Sequence, residues 1–213
     1  VSISVERRIL LVISKSIRSR SAWLRICSSS RAFAMMAAKL PQLIVPTTPT
    51  TASVKAGSAV FDPVSGRRLA LFDPKTRAQA IFVHPDLLKT APGTLVGSAL
   101  LNTFVLAIEG LMSRTGDPLS DALLMHALRL MRSHLGNPGS SEDLAARAEL
   151  VLAAVLCGQG TDYTGAGIMT VLGHAVGARH GIENGVASVI VLPAALRFNA
   201  DAATQGLAKV AAS

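Results

Sequence analysis

The 213-residue chain is poor in aromatic residues and in cysteine. Aromatics make up 4% of it, with one Trp and one Tyr, and the two cysteines are Cys27 and Cys157. Cysteines so far apart form neither a metal-binding motif nor a disulfide framework, so a reducing compartment is the default expectation. A nucleic-acid interface needs a basic patch with aromatic or polar readers. The shortage of aromatics disfavours such an interface.

Long uninterrupted apolar runs are also missing, although half of the residues are apolar. No stretch reaches the roughly 18 consecutive apolar residues of a membrane-spanning helix. The apolar fraction itself excludes an intrinsically disordered chain and indicates a real hydrophobic core. We therefore expect neither a membrane nor a nucleic acid among the partners.

Acidic residues are scarce at the start of the chain. Residues 1–39 hold eight Lys or Arg and a single acid, Glu6, whereas residues 40–213 hold 13 bases and 12 acids. A segment rich in Arg and Ser and poor in acids is typical of an organellar transit peptide, and a non-native extension would look the same. The expected location is cytoplasmic, and it is organellar only if this segment is a native transit peptide.

The remaining pattern changes character near residue 92. Strands are predicted at 42–45, where the apolar run suggests a buried strand, and at 58–61, 68–72 and 80–83. Helical periodicity predicts helices over 94–112, 120–135, 144–157, 166–176 and 186–196. The fold class expected is therefore a short α/β segment, 40–91, followed by an all-helical domain, 92–213.

Five stretches in order along the chain carry a family resemblance. They are residues 43–53 (LIVPTTPTTAS), 107–110 (AIEG), 117–123 (DPLSDAL), 145–147 with 156–158 (AAR and LCG), and 174–193 (HAVGARHGIENGVASVIVLP). Together they resemble the iron-containing alcohol dehydrogenase family, with its dehydroquinate synthase-like fold, and are nearest to its maleylacetate reductase branch. The resemblance implies that 40–91 is the end of a nucleotide-binding α/β domain and that the helical domain is C-terminally incomplete.

The resemblance also locates the family's four metal ligands, which are one Asp and three His. Those positions hold Asn102, Leu106, Thr170 and Asn184 in this chain. A leucine has no lone pair to donate, and neutral Asn and Thr oxygens bind iron or zinc far more weakly than imidazole or carboxylate. No metal is therefore expected.

The Thr-rich loop, residues 47–53, is the NAD(P)H-binding segment that the resemblance implies. Its candidate residues are Thr47, Thr48, Thr51 and Ser53, whose hydroxyls and backbone amides are suited to hold a phosphate. An ordinary turn at a strand end accounts for the same residues equally well. The family's Gly-rich phosphate turn is replaced by Cys-Ser-Ser-Ser at 27–30.

Two candidate catalytic residues persist. His174 matches the histidine that the family uses near its substrate as a proton relay, a task that suits a group titrating near neutral pH. Glu109 also persists, and the resemblance implies that it lies with His174 at the catalytic site. A structural histidine that satisfies a local carbonyl is the alternative for His174.

Three functions remain open at this point. The first is an NAD(P)-dependent reductase of a small carbonyl compound or keto acid without the family metal. The second is a non-redox derivative, a metal-free hydrolase or lyase that uses His174. The third is an inactive, truncated paralogue that packs on a partner. A small-molecule substrate and a homo-oligomer are the expected partners.

Overall fold

The computed structural model describes residues 40–213 apart from 63, 65, 66 and 137–142. The predictions made for residues 1–39, including the transit-like segment and the turn at 27–30, lie outside the described residues. Residues 41–213 form one compact unit. The division at residue 92 stays a prediction about domain boundaries.

The α/β segment contains two small sheets. Strands β1 (Leu43–Ile44) and β4 (Ala80–Ile81) pair in parallel, and β2 (Gly57–Asp62) and β3 (Arg67–Phe72) form an antiparallel hairpin. The four predicted strands are thus present, and the turn predicted at 62–66 lies largely outside the described residues. The expectation of a buried first strand is wrong, because the Leu43 side chain is 58% exposed.

Helices make up the rest of the described chain. They are α1 (Pro85–Leu88), α2 (Gly93–Leu111), α3 (Pro118–Arg132), α4 (Leu144–Thr164), α5 (Ile168–His180), α6 (Asn184–Asn199) and α7 (Thr204–Ala211). This order confirms the predicted fold class of a small α/β segment followed by helices. Helix α7 has no counterpart among the predicted elements.

Side-chain caps determine where two of these helices begin. Asp117 accepts a hydrogen bond from the Ser120 amide at 2.7 Å, and the Ser120 hydroxyl accepts one from the Asp117 amide at 2.8 Å. These bonds form a capping box at the start of α3. The same amide hydrogen bond holds the pKa of Asp117 below its ordinary value. Asp143 caps α4 through the Ala146 amide.

The core lies around α2, which packs against α3, α4, α6 and α7. Its buried apolar side chains include Leu100, Val105, Leu111, Leu124, Leu128, Met131, Leu150 and Met169. Burial of apolar surface contributes roughly 25 cal/mol for each Å² removed from water. Helix α2 is therefore the element on which the other helices are positioned.

Helices α2 and α4 are each long and apolar enough, by composition, to cross a membrane. Within the described part of the chain, 56% of each candidate span is buried against other elements. Core helices of globular proteins meet the same criterion of length and mean hydropathy. The absence of a membrane partner remains a prediction.

Arg147 of α4 connects the helices to the α/β segment. Its side chain is buried, and its Nη1 donates hydrogen bonds to the carbonyl oxygens of Leu88 at 2.6 Å and Ala91 at 2.8 Å. A guanidinium always carries its charge, and its hydrogen bonds are correspondingly strong. The passage from α1 to α2 is thereby fixed to α4.

Helix α4 continues beyond Cys157, where the sequence pattern predicted its end. The extension contains Gly158, and a Cβ there would lie 2.4 Å from Val54 Cγ2 and 2.7 Å from the Thr51 carbonyl oxygen. Only a glycine allows the backbone of the Thr-rich loop to come so close to the helix. Gly158 therefore belongs to a packing contact, not to a helix end.

Candidate functional site

Helices α2, α5 and α6 converge through glycine contacts. A Cβ on Gly185 of α6 would lie 1.9 Å from the Ser98 carbonyl oxygen of α2. A Cβ on Gly173 of α5 would lie 2.2 Å from Ser188 Oγ of α6. The three helices carry the positions that the sequence assigned to metal binding and proton relay. The fold thus brings those positions into one region.

The four positions equivalent to metal ligands differ in their surroundings. Leu106 is buried in the core cluster, and the Thr170 hydroxyl donates to a Glu109 carboxylate oxygen. Asn184 begins α6, and its Oδ1 lies 3.0 Å from where a Cβ on Gly177 would be. Asn102 contributes a neutral amide from α2. These four side chains contain no imidazole and no carboxylate, so they do not fit iron or zinc.

Among the described residues, no group of three or more His, Cys, Asp or Glu side chains is placed to hold a metal ion. Independence from metal stays an expectation that is based on the residue types at the four positions.

Glu109 binds the N-terminus of α5. Its carboxylate accepts hydrogen bonds from the backbone amides of Gly167 at 3.1 Å, Met169 at 2.5 Å and Thr170 at 3.2 Å, in addition to the Thr170 hydroxyl. The first amides of a helix lack partners within the helix, and a negative charge there is favourable. Glu109 is buried and fixes α5 on α2. Its predicted catalytic role stays a prediction.

His174 follows Thr170 by four residues on α5, which places both on the same face of that helix. The His174 side chain is half-buried. Because Glu109 holds the preceding turn of α5 against α2, the position of His174 is set by a buried anchor one turn away.

The Thr-rich loop is ordered by its own backbone. The Thr50 amide donates a hydrogen bond to the Thr48 carbonyl oxygen at 2.8 Å, and the Ser53 carbonyl oxygen accepts one from the Ala78 amide at 2.9 Å. Thr51 and Ser53 are buried, whereas Thr47 and Thr48 are half-buried. Of the four residues predicted to bind the cofactor, Thr47 and Thr48 thus keep more access to solvent.

Lys55 is a site residue that the sequence pattern did not reveal. It ends the short 3-10 turn at Ala52–Val54 and lies near Cys157, Asp162 and Glu109. Its partial burial disfavours the ammonium form and lowers the pKa of its amine, and these three neighbours oppose that effect. The neighbours lie more than 50 positions away in sequence, so no local motif indicates the cluster.

The sequence pattern also gave no indication of a side-chain pair formed by Asp162 and Arg77. Arg77 Nε donates to Asp162 Oδ2 at 2.9 Å, and the Ala56 amide donates to Asp162 Oδ1 at 3.2 Å. The Asp162 side chain is 12% exposed, and that of Arg77 is 43% exposed. The pair ties the α/β segment to α4 a second time.

Cys157 is buried in α4, with its Sγ 3.4 Å from the Thr103 carbonyl oxygen. Burial raises the pKa of its thiol to about 12. Because the thiolate is the reactive form, Cys157 is inert in the folded protein near neutral pH.

Alkylation tests that inertness. In a Cys27→Ser variant, iodoacetamide at pH 8 is expected to leave Cys157 unmodified until urea unfolds the chain, as followed by intact mass. Rapid labelling of the native protein at that pH would show that the thiol is accessible, contrary to its burial. The urea-unfolded sample serves as the control for reagent activity.

Comparison with known proteins gives a consistent family match. Residues 98–213 match the model of the Fe-containing alcohol dehydrogenase family, C-terminal. Over 164 residues the chain is 30% identical to lactaldehyde reductase of Escherichia coli K12, a match that covers 76% of this chain and 42% of that protein. The chain thus spans less than half the length of this relative.

Solved structures show the same fold. Maleylacetate reductase from Agrobacterium tumefaciens superposes with a TM-score of 0.74 at 22% identity, covering 85% of this chain and 51% of that one. Sulfoacetaldehyde reductase from Bifidobacterium kashiwanohense, solved in complex with NAD+, gives a TM-score of 0.68 at 22% identity, covering 82% and 49%. At these identities the likeness establishes the architecture alone.

Proposed function

The chain belongs to the Fe-containing alcohol dehydrogenase family, and on that premise we propose that it is an NAD(P)H-dependent reductase of small carbonyl compounds or keto acids that works without the family's metal. The family is one of oxidoreductases. The nucleotide, the substrate class and the independence from metal are the parts that we add.

The observation that carries the proposal is the close packing of α2, α5 and α6. Gly185 and Gly173 bring these helices into contact, and Glu109 anchors the N-terminus of α5 to α2. A half-buried His174 then lies one turn along α5 from that anchor. A proton donor held on a rigid helix is what a carbonyl reduction requires.

His174 is proposed to donate the proton. A hydride that arrives at a carbonyl carbon leaves negative charge on the oxygen, and an imidazolium nearby neutralises that charge as it develops. Independence from metal is supported by the four ligand-equivalent positions, of which Leu106 has no donor atom and the others are neutral. The polarisation that a metal supplies elsewhere in the family would fall to this histidine.

The Thr-rich loop is proposed to bind the nucleotide. Thr47 and Thr48 are half-buried, and the backbone of the loop is fixed by Gly158 and Ala78. A preorganised turn of hydroxyls and amides suits a phosphate group. NAD+ in the crystal of one structural neighbour is in keeping with such a cofactor.

The proposal keeps two further expectations from the sequence. A homo-oligomer is supported by exposed apolar side chains on α5 and α6, such as Val171, Ile190 and Phe198, because exposed apolar patches mark association sites. A cytoplasmic location remains the expectation from cysteine usage, since Cys27 and Cys157 are too far apart in sequence to indicate a disulfide framework.

His174→Gln tests the proposal. NADH and NADPH oxidation by the purified chain would be followed with a panel of aldehydes and keto acids that includes maleylacetate. The variant is expected to lose about 10²- to 10⁴-fold in kcat, the usual contribution of a positioned acid, and to keep its nucleotide affinity. EDTA is expected to leave the wild-type rate unchanged.

His180→Gln is the matched control, because His180 is an exposed histidine on the same helix. It should retain the wild-type rate. Absence of nucleotide binding to the wild-type chain would refute the reductase, and activity that EDTA abolishes and iron restores would refute its independence from metal.

A further inference from the structure

A cleft opens where the α/β segment meets α3 and α4. Its volume is about 480 Å³, which is within the usual range of sites that bind small molecules. Leu119 and Leu123 are four residues apart on α3, so both lie on one face of that helix. Gln159 and Tyr163 are related in the same way on α4. The remaining lining residues are Val54, Arg77, Ala78 and Asp162.

The Arg77 guanidinium is held in one orientation at the wall of this cleft. Its Nε donates a hydrogen bond to Asp162 Oδ2 at 2.9 Å, and its Nη2 donates one to the same oxygen. Asp162 is fixed in turn, because its Oδ1 accepts a hydrogen bond from the Ala56 amide at 3.2 Å. The backbone next to Arg77 is fixed by the Ala78 amide, which binds the Ser53 carbonyl oxygen. The guanidinium therefore needs little reordering to meet a ligand.

The cleft presents the positive member of this ion pair to solvent. The Arg77 side chain is 43% exposed, whereas that of Asp162 is 12% exposed. Asp162 occupies one N–H of Nε and one of Nη2, and a guanidinium has further N–H groups on Nη1 and Nη2. Within the described residues, no other acceptor binds Arg77. These N–H groups belong to a planar, charged group that suits a carboxylate.

Most of the other lining side chains are apolar or aromatic. Leu119 is 60% exposed, and Leu123 and Val54 are half-buried. Tyr163 is the single tyrosine of the chain, and it is 65% exposed. Covering such surfaces with an apolar ligand is favourable, and aromatic rings pack well on one another. A ligand that matches the whole cleft thus joins an aromatic body to a carboxylate.

We propose that this cleft is a binding site for small aromatic carboxylates, with the carboxylate on Arg77 and the ring among Leu119, Leu123 and Tyr163. An inorganic anion would use Arg77 but leave the apolar side chains in water, so an organic carboxylate is the better match. The inference goes beyond the reductase. None of the lining residues belongs to α5, to α6 or to the four candidate nucleotide-binding positions.

The single tyrosine makes binding observable on the full chain. In protein labelled with ring-carbon-13 tyrosine, one set of NMR signals reports on Tyr163. Titration with benzoate at pH 7, without nucleotide, is expected to shift these signals saturably. Benzyl alcohol keeps the ring and lacks the carboxylate, so it should bind about tenfold more weakly because the charge-assisted hydrogen bonds are lost. Inorganic phosphate should produce no saturable shift at the same concentrations.

Two variants test the two parts of the cleft separately. Arg77→Gln removes the cation and should weaken benzoate binding about tenfold. Leu119→Ser removes apolar surface without changing the ion pair, and a loss of several-fold is expected. Arg179→Gln is the matched control, because Arg179 is an exposed arginine of α5 outside the cleft. It should keep the wild-type affinity, and circular dichroism checks that each variant is folded.

Two results with the wild-type chain would overturn the proposal. One is that millimolar benzoate leaves the Tyr163 signals unchanged, and the other is that benzoate and benzyl alcohol bind equally well. Neither result depends on whether a variant folds. Full retention of benzoate binding by folded Arg77→Gln would overturn the proposal as well. Because no nucleotide is added, each of these failures is separate from a failure of the reductase.

Discussion

Replacement of Glu109 by leucine is expected to lower the free energy of unfolding by about 3–5 kcal/mol, because several buried donors lose their charged acceptor together. The amides of Met169 and Thr170 and the Thr170 hydroxyl all bind this carboxylate in the folded protein. Leucine fills a similar volume, so the loss reports on the hydrogen bonds and not on a cavity. Urea unfolding followed by circular dichroism measures the change.

A second variant at position 109 separates the effect of losing the charge from the effect of losing the polar side chain. Glu109→Gln retains one acceptor oxygen but presents an NH₂ group to a donor, so an intermediate loss is expected. Glu149→Gln is the matched control, because Glu149 is 52% exposed and pairs with His134, and exposed pairs contribute less than about 1 kcal/mol. A loss for Glu109→Leu as small as that of the control would contradict the anchoring of α5 by Glu109.

Gly185→Ala is expected to cost about 3 kcal/mol, at the upper end of what overpacking a core usually costs. The new Cβ would lie 1.9 Å from the Ser98 carbonyl oxygen and 3.0 Å from the Asn102 amide nitrogen. Backbone atoms cannot rotate away as a side chain can, so α2 and α6 must separate. The region that carries Asn102, Asn184 and His174 would widen, and any ligand bound there should be lost with the packing.

Gly93→Ala is the control for this change. A Cβ at Gly93 meets nothing within 4 Å, and alanine is favoured over glycine in a helix by up to about 1 kcal/mol. Thermal unfolding of the two variants should therefore move in opposite directions. Equal melting temperatures would show that α2 and α6 adjust at no cost and that their contact is not tight.

The sequence predicted the elements of the fold better than it predicted the site. Hydrophobic periodicity and caps such as Asp117-Pro118 are local signals, and the helices lie where they indicate. Helix α4 is longer than predicted because the glycines at 158 and 160 resemble the signal for a helix end. In the structure these glycines instead allow close packing against Thr51 and Leu124. Helix α7 was missed because residues 204–211 hold only two large apolar side chains.

The site depends on contacts between distant parts of the chain. The resemblance led to His174, Glu109 and the Thr-rich loop, and the fold brings α2, α5 and the loop's neighbours together. The approach of Lys55 to Asp162, and the engagement of Glu109 by the α5 amides, arise from pairs 58 to 107 positions apart. No periodicity within one element indicates such pairs, so Lys55 and Asp162 could be identified only from the folded structure.

The buried Arg147 also limits how this molecule moves. Its two hydrogen bonds hold Leu88 and Ala91, Arg77 holds Asp162, and the Thr51 backbone rests on Gly158, so α4 is attached to the α/β segment at three separated points. A hinge rotation about one of these points would break the other two. We therefore expect α4 and the α/β segment to move together as one body when a ligand binds.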